Sequence, residues 1–429
     1  MRISIIGTGY VGTVTGACFA HLGNDVTCVD VDPKRVEMLN SGVPPIYEEG
    51  LEDLLKQHSG KNLRATLSYD DAIAGSDISF ICVPTPSDDN GKIDLKFIRE
   101  ACKSIGERLK NKSSYHVVVV KSTVVPETTL KVATPVLEQY SGKKAGIDFG
   151  VGMNPEFLRE GKAVYDFQNP DRIVVGADDP KAGEIIKQLY SGYTCPILTV
   201  DTKTAEMIKY VSNSFLATKI SFSNEVGNIC KRLGIDTYQV MKGVGLDARI
   251  GPLFLNSGLG FGGSCFPKDV KALIGKADEM NYEPILLKTV LKVNDRQPEQ
   301  LIKLLKLHVP DLNGKKIAVL GLAFKNDTDD IRESRAISVI GSLLAEGAQV
   351  TAYDPLAAEH MKRVFPNIEY YKTAGEALRN VDACVIATEW GEFSKLNGEF
   401  KGMKSRIVID GRKVVDPRGK DITYEGLCW

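Results

Sequence analysis

Cys265 closes a glycine-rich run, Gly258-Leu-Gly-Phe-Gly-Gly-Ser-Cys265-Phe-Pro-Lys-Asp269. Four glycines within six residues leave a backbone bare enough to wrap closely round a ligand. A cysteine directly after them, with Lys268 and Asp269 close by, could be an exposed, activated thiol. The competing reading is a small buried hydrophobe, the ordinary fate of a cysteine, and the chain has eight others. Lys209 and Asn213 lie four residues apart, so on a helix they share a face. They are expected beside the apolar stripe of that helix rather than opposite it. Such a lysine could stabilise an oxyanion or assist a proton transfer, or simply snorkel to solvent. Asn154-Pro-Glu156-Phe-Leu-Arg-Glu160 follows an expected strand directly. Two carboxylates and an arginine there suit a ligand site at a strand end, or a solvated charged loop.

Near the start, Gly7-Thr-Gly9-Tyr-Val-Gly12 has the spacing of a dinucleotide-binding turn. Gly7 permits the tight turn, Gly9 lets a pyrophosphate approach the backbone, and Gly12 lets a helix pack on the sheet. Asp30 lies 18 residues beyond Gly12. It favours NAD, since it can bond a ribose 2′-OH and would repel a 2′-phosphate. Arg35 nearby leaves NADP open. The alternative is a tight strand-to-helix turn with no nucleotide.

These residues need elements to hold them. Arg2 to Ile6 reads as a buried strand, the stretch to Leu22 as a helix stopped by Gly23, and Val26 to Asp30 as a second strand. Further strands are expected at Ile78–Val83, His116–Val120 and Asp148–Met153, with a helix at Leu95–Leu109. Strands alternating with helices indicate a doubly wound parallel sheet. From Thr202 to Leu233 the period changes. Ile208, Val211, Phe215, Thr218, Phe222, Val226 and Ile229 recur every three or four residues, the mark of one long helix. It spans ~48 Å at 1.5 Å per residue, enough to join two domains and to offer a dimer surface; two shorter kinked helices are the alternative. A second βαβ pattern follows, with strands at Lys316–Leu320, Gln349–Asp354 and Ala383–Thr388 and a helix at Ser334–Ala345. Its turn, Gly321-Leu-Ala-Phe-Lys325, lacks the other two glycines, which suggests a different ligand. An active site is then expected in the cleft between the two sheets, at their strand C-terminal ends.

The bulk numbers bound the function. The 429 residues are enough for two or three domains. Positive and negative side chains nearly cancel, at a formal charge of −1, so no nucleic-acid partner is indicated. Nine cysteines, an odd number with no CxxC pair, argue against a disulfide framework or a zinc site and for a reducing compartment. With five histidines and no metal-spaced cluster, no metal is expected. No apolar run reaches ~18 residues, so no membrane span is expected. The start reads as a folded βα unit rather than a signal peptide. The expected location is cytoplasmic.

Taken together, the sequence resembles the UDP-glucose 6-dehydrogenases, within the larger UDP-glucose/GDP-mannose dehydrogenase group. The resemblance covers roughly residues 1–415. It rests on Gly7–Gly12, Pro45-Ile-Tyr47, Val83-Pro-Thr-Pro86, Lys121-Ser-Thr123, Asn154–Glu160, Lys209 with Asn213, Gly260–Asp269, Phe324-Lys325 and Asp410-Gly-Arg412. The run through Cys265 is specific for the group and weaker at choosing the sugar. Two departures touch the cofactor side. Tyr47-Glu-Glu-Gly50 stands where the family has Tyr-Glu-Pro-Gly, and Val124-Val125-Pro126 gives a longer spacing after Ser122-Thr123.

The resemblance implies two Rossmann-like doubly wound parallel-sheet α/β domains joined by a long central helix, in a homodimer or larger assembly. The implied domains are 1–200 for NAD, 201–309 as the central helical part and 310–429 for the UDP-sugar. It implies oxidation of UDP-glucose to UDP-glucuronate with two NADH formed. Asp269 and Lys209, with a water, assist removal of the C6 hydroxyl proton as the first hydride goes to NAD. Cys265 attacks the aldehyde, and Lys209 with Asn213 stabilises the oxyanion. The second hydride leaves a thioester, and Glu156 with Thr123 positions or activates the hydrolytic water. The implied NAD site comprises Gly7, Gly9, Tyr10, Val11, Gly12, Asp30, Arg35, Thr85, Ser122, Thr123, Glu160, Cys265, Lys268 and Arg332. The implied sugar-nucleotide site comprises Glu156, Phe157, Leu158, Arg159, Lys209, Asn213, Asn256, Gly262, Lys325 and Arg412, with Arg249 donated by a partner subunit. Rival readings are the same chemistry on GDP-mannose or a UDP-N-acetylhexosamine, a two-electron β-hydroxyacid dehydrogenase, and a nucleotide-sugar binding protein without turnover.

Overall fold

Four successive valines, Val117–Val120, are fully buried, as a strand covered on both faces of a parallel sheet must be. They form the fifth of eight strands in the first half of the chain. The computed structural model describes residues 1–88 and 91–429. These strands are β1 (Arg2–Ile6), β2 (Asp25–Val29), β3 (Leu63–Thr66), β4 (Ile78–Ile81), β5 (Val117–Val120), β6 (Gly150–Met153), β7 (Ile173–Ala177) and β8 (Ile197–Val200). Their order is β3-β2-β1-β4-β5-β6-β7-β8. The chain reverses direction of winding between β1 and β4, the switch point where open α/β sheets take ligands. One pairing departs from the expected parallel sheet: β6 and β7 run antiparallel, in a register of only two residue pairs. The connection runs through the helix Ala163–Gln168 and returns the chain beside β6 in the opposite direction.

The second sheet is wholly parallel among its paired strands. It contains β9 (Lys316–Leu320), β10 (Gln349–Tyr353), β11 (Glu369–Tyr370), β12 (Ala383–Ile386), β13 (Ile407–Asp410) and β14 (Thr423–Gly426), in the order β11-β10-β9-β12-β13-β14. This repeats the order of the first six strands and bears out the expected second Rossmann-like sheet. The chain divides into two compact units, Met1–Ser212 and Asn213–Trp429. Each has its own apolar core around its sheet.

The long helix runs unbroken from Thr202 to Leu233, so the two-helix alternative falls. Its faces are the reverse of a simple amphipathic helix. Val211, Phe215, Phe222, Ile229 and Leu233 of the apolar side are exposed. The buried side carries Glu206, Lys209, Asn213, Ser214, Ser221, Ser223 and Asn224. At about 100° per residue, Lys209 and Asn213 point roughly 140° and 180° from the centre of the apolar stripe. They therefore lie opposite it, and the expectation that they lie beside it is corrected. The same burial rules out a snorkelling lysine at 209. Buried polar side chains demand partners, and the site below supplies those of Glu206, Lys209 and Asn213.

Candidate active site

The first unit carries the dinucleotide turn and an ion pair. Gly7 has φ +95, and a Cβ there would come within 2.8 Å of the Cys82 carbonyl oxygen. A Cβ at Gly12 would overlap the Gly7 carbonyl at 1.9 Å, whereas one at Gly9 would meet nothing within 4 Å. The three glycines thus do three jobs: turn, open approach and helix contact. The helix Tyr10–His21 starts directly after Gly9, holds Gly12 in its first turn and aims its N-terminus at the open space, which suits a pyrophosphate. Asp30 accepts from the Thr8 amide at 2.7 Å, the Thr8 hydroxyl at 2.5 Å and the Asp32 amide at 3.0 Å. Burial pushes its carboxyl up, but these donors and Arg35 win and hold it below the ordinary value. Arg35 donates to the Thr8 carbonyl at 3.1 Å, so its guanidinium is committed to the turn.

At the ends of β4 and β5, the Ser122 hydroxyl donates to the Val83 carbonyl at 2.7 Å, and the Thr85 hydroxyl to the Thr123 carbonyl at 2.9 Å. These bonds bind together the loops expected to line the cofactor. Glu156 is buried and pairs with Lys209 at 2.8 Å, and it accepts from the Leu158 amide at 2.7 Å. Burial raises the Glu156 carboxyl, and the lysine overrides it, so the net shift is downward. Phe157 lies under the Lys209 ammonium at 5.6 Å and under Arg172 at 3.9 Å. The loop is therefore a built site rather than a solvated one. Arg159 is exposed and held by Asp166.

Sequence reasoning assigned no role to three residues of this unit. Lys121 is buried and donates to Asn154 Oδ1 at 2.9 Å; burial lowers its ammonium to about 8. A lysine placed straight after four buried valines was a signal for it. Glu48 accepts from the Gly161 amide at 2.9 Å, the Ala163 amide at 2.7 Å and the Tyr10 hydroxyl, so it ties the dinucleotide turn to the loop after Glu156. Glu206 is fully buried and accepts from the Glu127 and Thr129 amides at 2.6 and 2.7 Å. It clasps the loop after Thr123 to the helix that carries Lys209.

The second unit carries the thiol. Cys265 stands at the N-terminal end of the helix Phe266–Glu279, where the helix dipole favours a developing negative charge. It is partly exposed; of the nine thiols only Cys195 shares that property. Burial drives the Cys18, Cys28, Cys82 and Cys102 thiols up to about 12, which leaves them inert. One turn beyond Cys265, Asp269 is buried, accepting from Asn213 at 2.6 Å and from Lys268 at 2.6 Å. Asn213 is thus aimed by Asp269, and its amide cannot turn away without losing a buried bond.

The glycines before Cys265 have a packing purpose. A Cβ at Gly258 would lie 2.6 Å from the Gly411 carbonyl oxygen, one at Gly260 2.5 Å from Asn294, one at Gly262 2.2 Å from the Glu333 carbonyl oxygen and one at Gly263 2.7 Å from the Phe324 ring. The bare side of the loop is packed against the protein's own chain, which fixes the thiol. Lys325 follows Phe324 directly. Arg412 is held by the Ala387 carbonyl at 2.9 Å and faces Glu389 at 3.3 Å. Asp410, buried at the end of β13, accepts the amides of Arg412, Val414 and Val415 and so shapes that turn. In the second sheet's own turn, Asp354 takes the place of Asp30. Its carboxylate is spent on the Leu322 and Ala323 amides and on Trp390 Nε1, so this copy offers no free carboxylate to a ribose. Arg249 and Asn256 are exposed, as is Arg332, which is held by Asp330. The Arg332 carbonyl accepts from the Gly263 amide at 2.8 Å, which ties that residue's backbone to the loop before Cys265.

Residues 1–194 match the NAD binding domain of the UDP-glucose/GDP-mannose dehydrogenase family, residues 203–296 its central domain and residues 318–417 its UDP binding domain. The chain is 50% identical to UDP-glucose 6-dehydrogenase AglM of Haloferax volcanii, over the whole of both chains. It is 42% identical to UDP-glucose 6-dehydrogenase TuaD of Bacillus subtilis, over 96% of this chain and 89% of that one. A solved UDP-glucose dehydrogenase from Pyrobaculum islandicum is similar with a TM-score of 0.94 at 42% identity, covering 100% of this chain and 97% of the other. A UDP-D-ManNAc dehydrogenase from Pyrococcus horikoshii is similar with a TM-score of 0.89 at 28% identity, covering 100% and 99%. With three domains matched in order and identity sustained from end to end, the chain belongs to the UDP-glucose/GDP-mannose dehydrogenase family, NAD-dependent oxidoreductases.

Proposed function

We propose that this chain oxidises the C6 alcohol of UDP-glucose to the carboxylate, giving UDP-glucuronate. The observation that carries the reading is Cys265: a partly exposed thiol at a helix N-terminus, one turn from an Asp269 held by Asn213 and Lys268. The sugar is read from the relatives. Those named for UDP-glucose reach 42–50% identity, and the one named for UDP-D-ManNAc reaches 28%.

When bound at the Gly7–Gly12 turn, with Asp30 on its ribose, NAD supplies a hydride acceptor, used twice per sugar. The side chains do the rest. Asp269 and Lys209, through a water, draw off the C6 hydroxyl proton. The Cys265 thiolate adds to the aldehyde carbon, and the oxyanion of the thiohemiacetal is stabilised by Lys209 and Asn213. Loss of the second hydride leaves a thioester on Cys265. Glu156 and Thr123 then direct water onto it, and C–S cleavage returns the thiol and releases the acid. Arg249, Asn256, Gly262, Lys325 and Arg412 contact the nucleotide sugar, and Phe157, Leu158 and Arg159 the sugar side. Thr85, Ser122, Glu160, Lys268 and Arg332 complete the cofactor site. We assign residues 1–200 to NAD, 201–309 to the central part and 310–429 to the UDP-sugar. The exposed apolar face of the long helix supports a homodimer. Nine thiols and no disulfide support a reducing, cytoplasmic setting; among the described residues, no helix is long and apolar enough to cross a membrane.

The test is NADH yield from limiting UDP-glucose, with GDP-mannose and UDP-N-acetylglucosamine alongside. Two NADH per UDP-glucose are expected, with the rate falling ~100-fold or more in Cys265→Ser because a serine hydroxyl is a far weaker nucleophile near neutral pH. One NADH would remove the thioester route. Two NADH from a different sugar would keep the route and change the substrate.

A further inference from the structure

Two of the five histidines converge at a place the dehydrogenase chemistry does not use. His21 closes the helix Tyr10–His21, and His58 closes the helix Leu51–His58, which packs against it. The rings meet edge to face with centroids 5.5 Å apart. Nδ1 of His21 lies 3.3 Å from Nε2 of His58.

Asn62 fixes the chemistry of this pair. Its Nδ2 donates to the Ala20 carbonyl at 2.7 Å and the Asn24 carbonyl at 3.0 Å. Both amide hydrogens are therefore spent on carbonyls, and the atom left facing His58 is the acceptor Oδ1. Nδ1 of His58 sits 2.9 Å from that oxygen, so in the neutral ring Nδ1 carries the hydrogen and Nε2 keeps its lone pair. That lone pair is directed at His21. A metal-ligating histidine has this arrangement: the far nitrogen donates to a fixed acceptor, and the near nitrogen is bare.

The spacing fits as well. Two nitrogens each ~2.05 Å from one ion, at a tetrahedral angle, lie about 3.3 Å from each other; the two ring nitrogens now face each other as hydrogen-bond partners, so to hold an ion the rings turn until both lone pairs meet beside the line between them. His21 is exposed and His58 half-buried, so an ion can reach them from solvent and the His21 ring can tilt to aim its Nδ1. Moving the His21 proton to Nε2 bares that Nδ1. Both histidines also sit in the last turn of their helices, where the dipole favours positive charge.

We propose that His21 and His58, oriented by Asn62, form a binding site for one divalent d-block cation on the surface of the NAD-binding unit. Imidazole pairs select zinc, nickel, cobalt or copper over magnesium and calcium. Among the described residues no group of three or more His, Cys, Asp and Glu gathers. The protein therefore gives two nitrogens, and water fills the other positions. The site is an exchangeable clamp between two helix ends, and its ion takes no part in the hydride chemistry.

The experiment is calorimetric titration of the full chain with Ni²⁺, chosen for its preference for imidazole, together with thermal melts in Ni²⁺ and Mg²⁺. The expected result is one saturable Ni²⁺ per chain and a rise in Tm that Mg²⁺ does not produce. His21→Ala, an exposed substitution, should keep the metal-free Tm and the NADH rate while weakening Ni²⁺ binding at least about tenfold; His58→Gln should do the same. Cys265→Ser should bind Ni²⁺ as the unaltered chain does. Absence of stoichiometric binding would overturn the proposal. So would binding that survives both histidine substitutions, or that disappears in Cys265→Ser.

Discussion

A buried carboxylate beside a buried ammonium gives Glu156 a definite protonation state. Lys209 holds it ionised in spite of its burial. An ionised carboxylate accepts hydrogen bonds and can orient a water, so it suits the hydrolytic half of the reaction better than the oxidative half. Glu156→Gln tests this. Glutamine has one oxygen where the carboxylate has two, and both are in use, by Lys209 and by the Leu158 amide. The substitution also takes the opposing charge from Lys209, at a cost of about 3 kcal/mol or more in stability. The expected outcome is a folded but less stable protein that forms the covalent sugar adduct and releases it slowly, seen as added mass on the peptide carrying Cys265. Normal turnover with no adduct would take Glu156 out of hydrolysis.

At the scale of elements, strands hold the charged groups and short polar ladders hold the strands. One ladder joins β1 and β4 to the start of β5. The buried hydroxyls of Ser4 and Ser79 lie 2.5 Å apart, Ser79 Oγ is 2.8 Å from His116 Nε2, and His116 Nδ1 is 3.1 Å from the Ser76 carbonyl. The carbonyl can only accept, so Nδ1 carries the hydrogen and Nε2 accepts from Ser79. Burial lowers this imidazole from 6.5 to about 3. Between these values the unfolded chain binds a proton that the folded chain refuses, so stability is full above about pH 6.5 and is lost as pH falls towards 3. The total is on the order of 4–5 kcal/mol. His116→Asn lacks the titration. Its urea-unfolding free energy should therefore fall less steeply than that of the unaltered chain between pH 6.5 and 4; parallel curves would show that His116 is not the group responsible.

Elements were also what the sequence showed most clearly. Patterns of buried apolar residues located every strand expected, to within two residues at either end, and the helix Thr202–Leu233 to the residue. The glycines of the first turn were legible because each has a separate steric reason. The facing of the long helix was not. Apolar residues normally mark the buried face of a helix; here polar groups occupy it as well, and several are matched by partners far away in sequence, as Asn213 is by Asp269, Ser221 by the Val290 carbonyl and Glu206 by the Glu127 and Thr129 amides. Glu48 and Glu206 were missed for the same reason. A carboxylate that accepts backbone amides 79 or 113 residues distant leaves no local pattern.

At the scale of the whole molecule, the inverted helix leaves an apolar face exposed. Met207, Val211, Phe215, Phe222, Ile229 and Leu233 are all exposed, and at about 100° per residue they fall within an arc of ~80°. Large apolar side chains aligned along 27 residues of one helix form a continuous stripe, of the kind that marks a protein–protein contact. A stripe with this spacing is self-complementary across a two-fold axis, where the same helix from a second copy buries the same residues. Phe222 is near the middle, so it is the substitution with most leverage. Phe222→Asp places a charge where two copies would bury it, and because the side chain is exposed in the single chain, the fold of each chain should survive. The expected result by light scattering is a dimer for the unaltered chain and a monomer for Phe222→Asp, with the far-ultraviolet circular dichroism unchanged. A dimer that persists in Phe222→Asp would place the interface elsewhere, and a monomer from the outset would leave the stripe to a different partner.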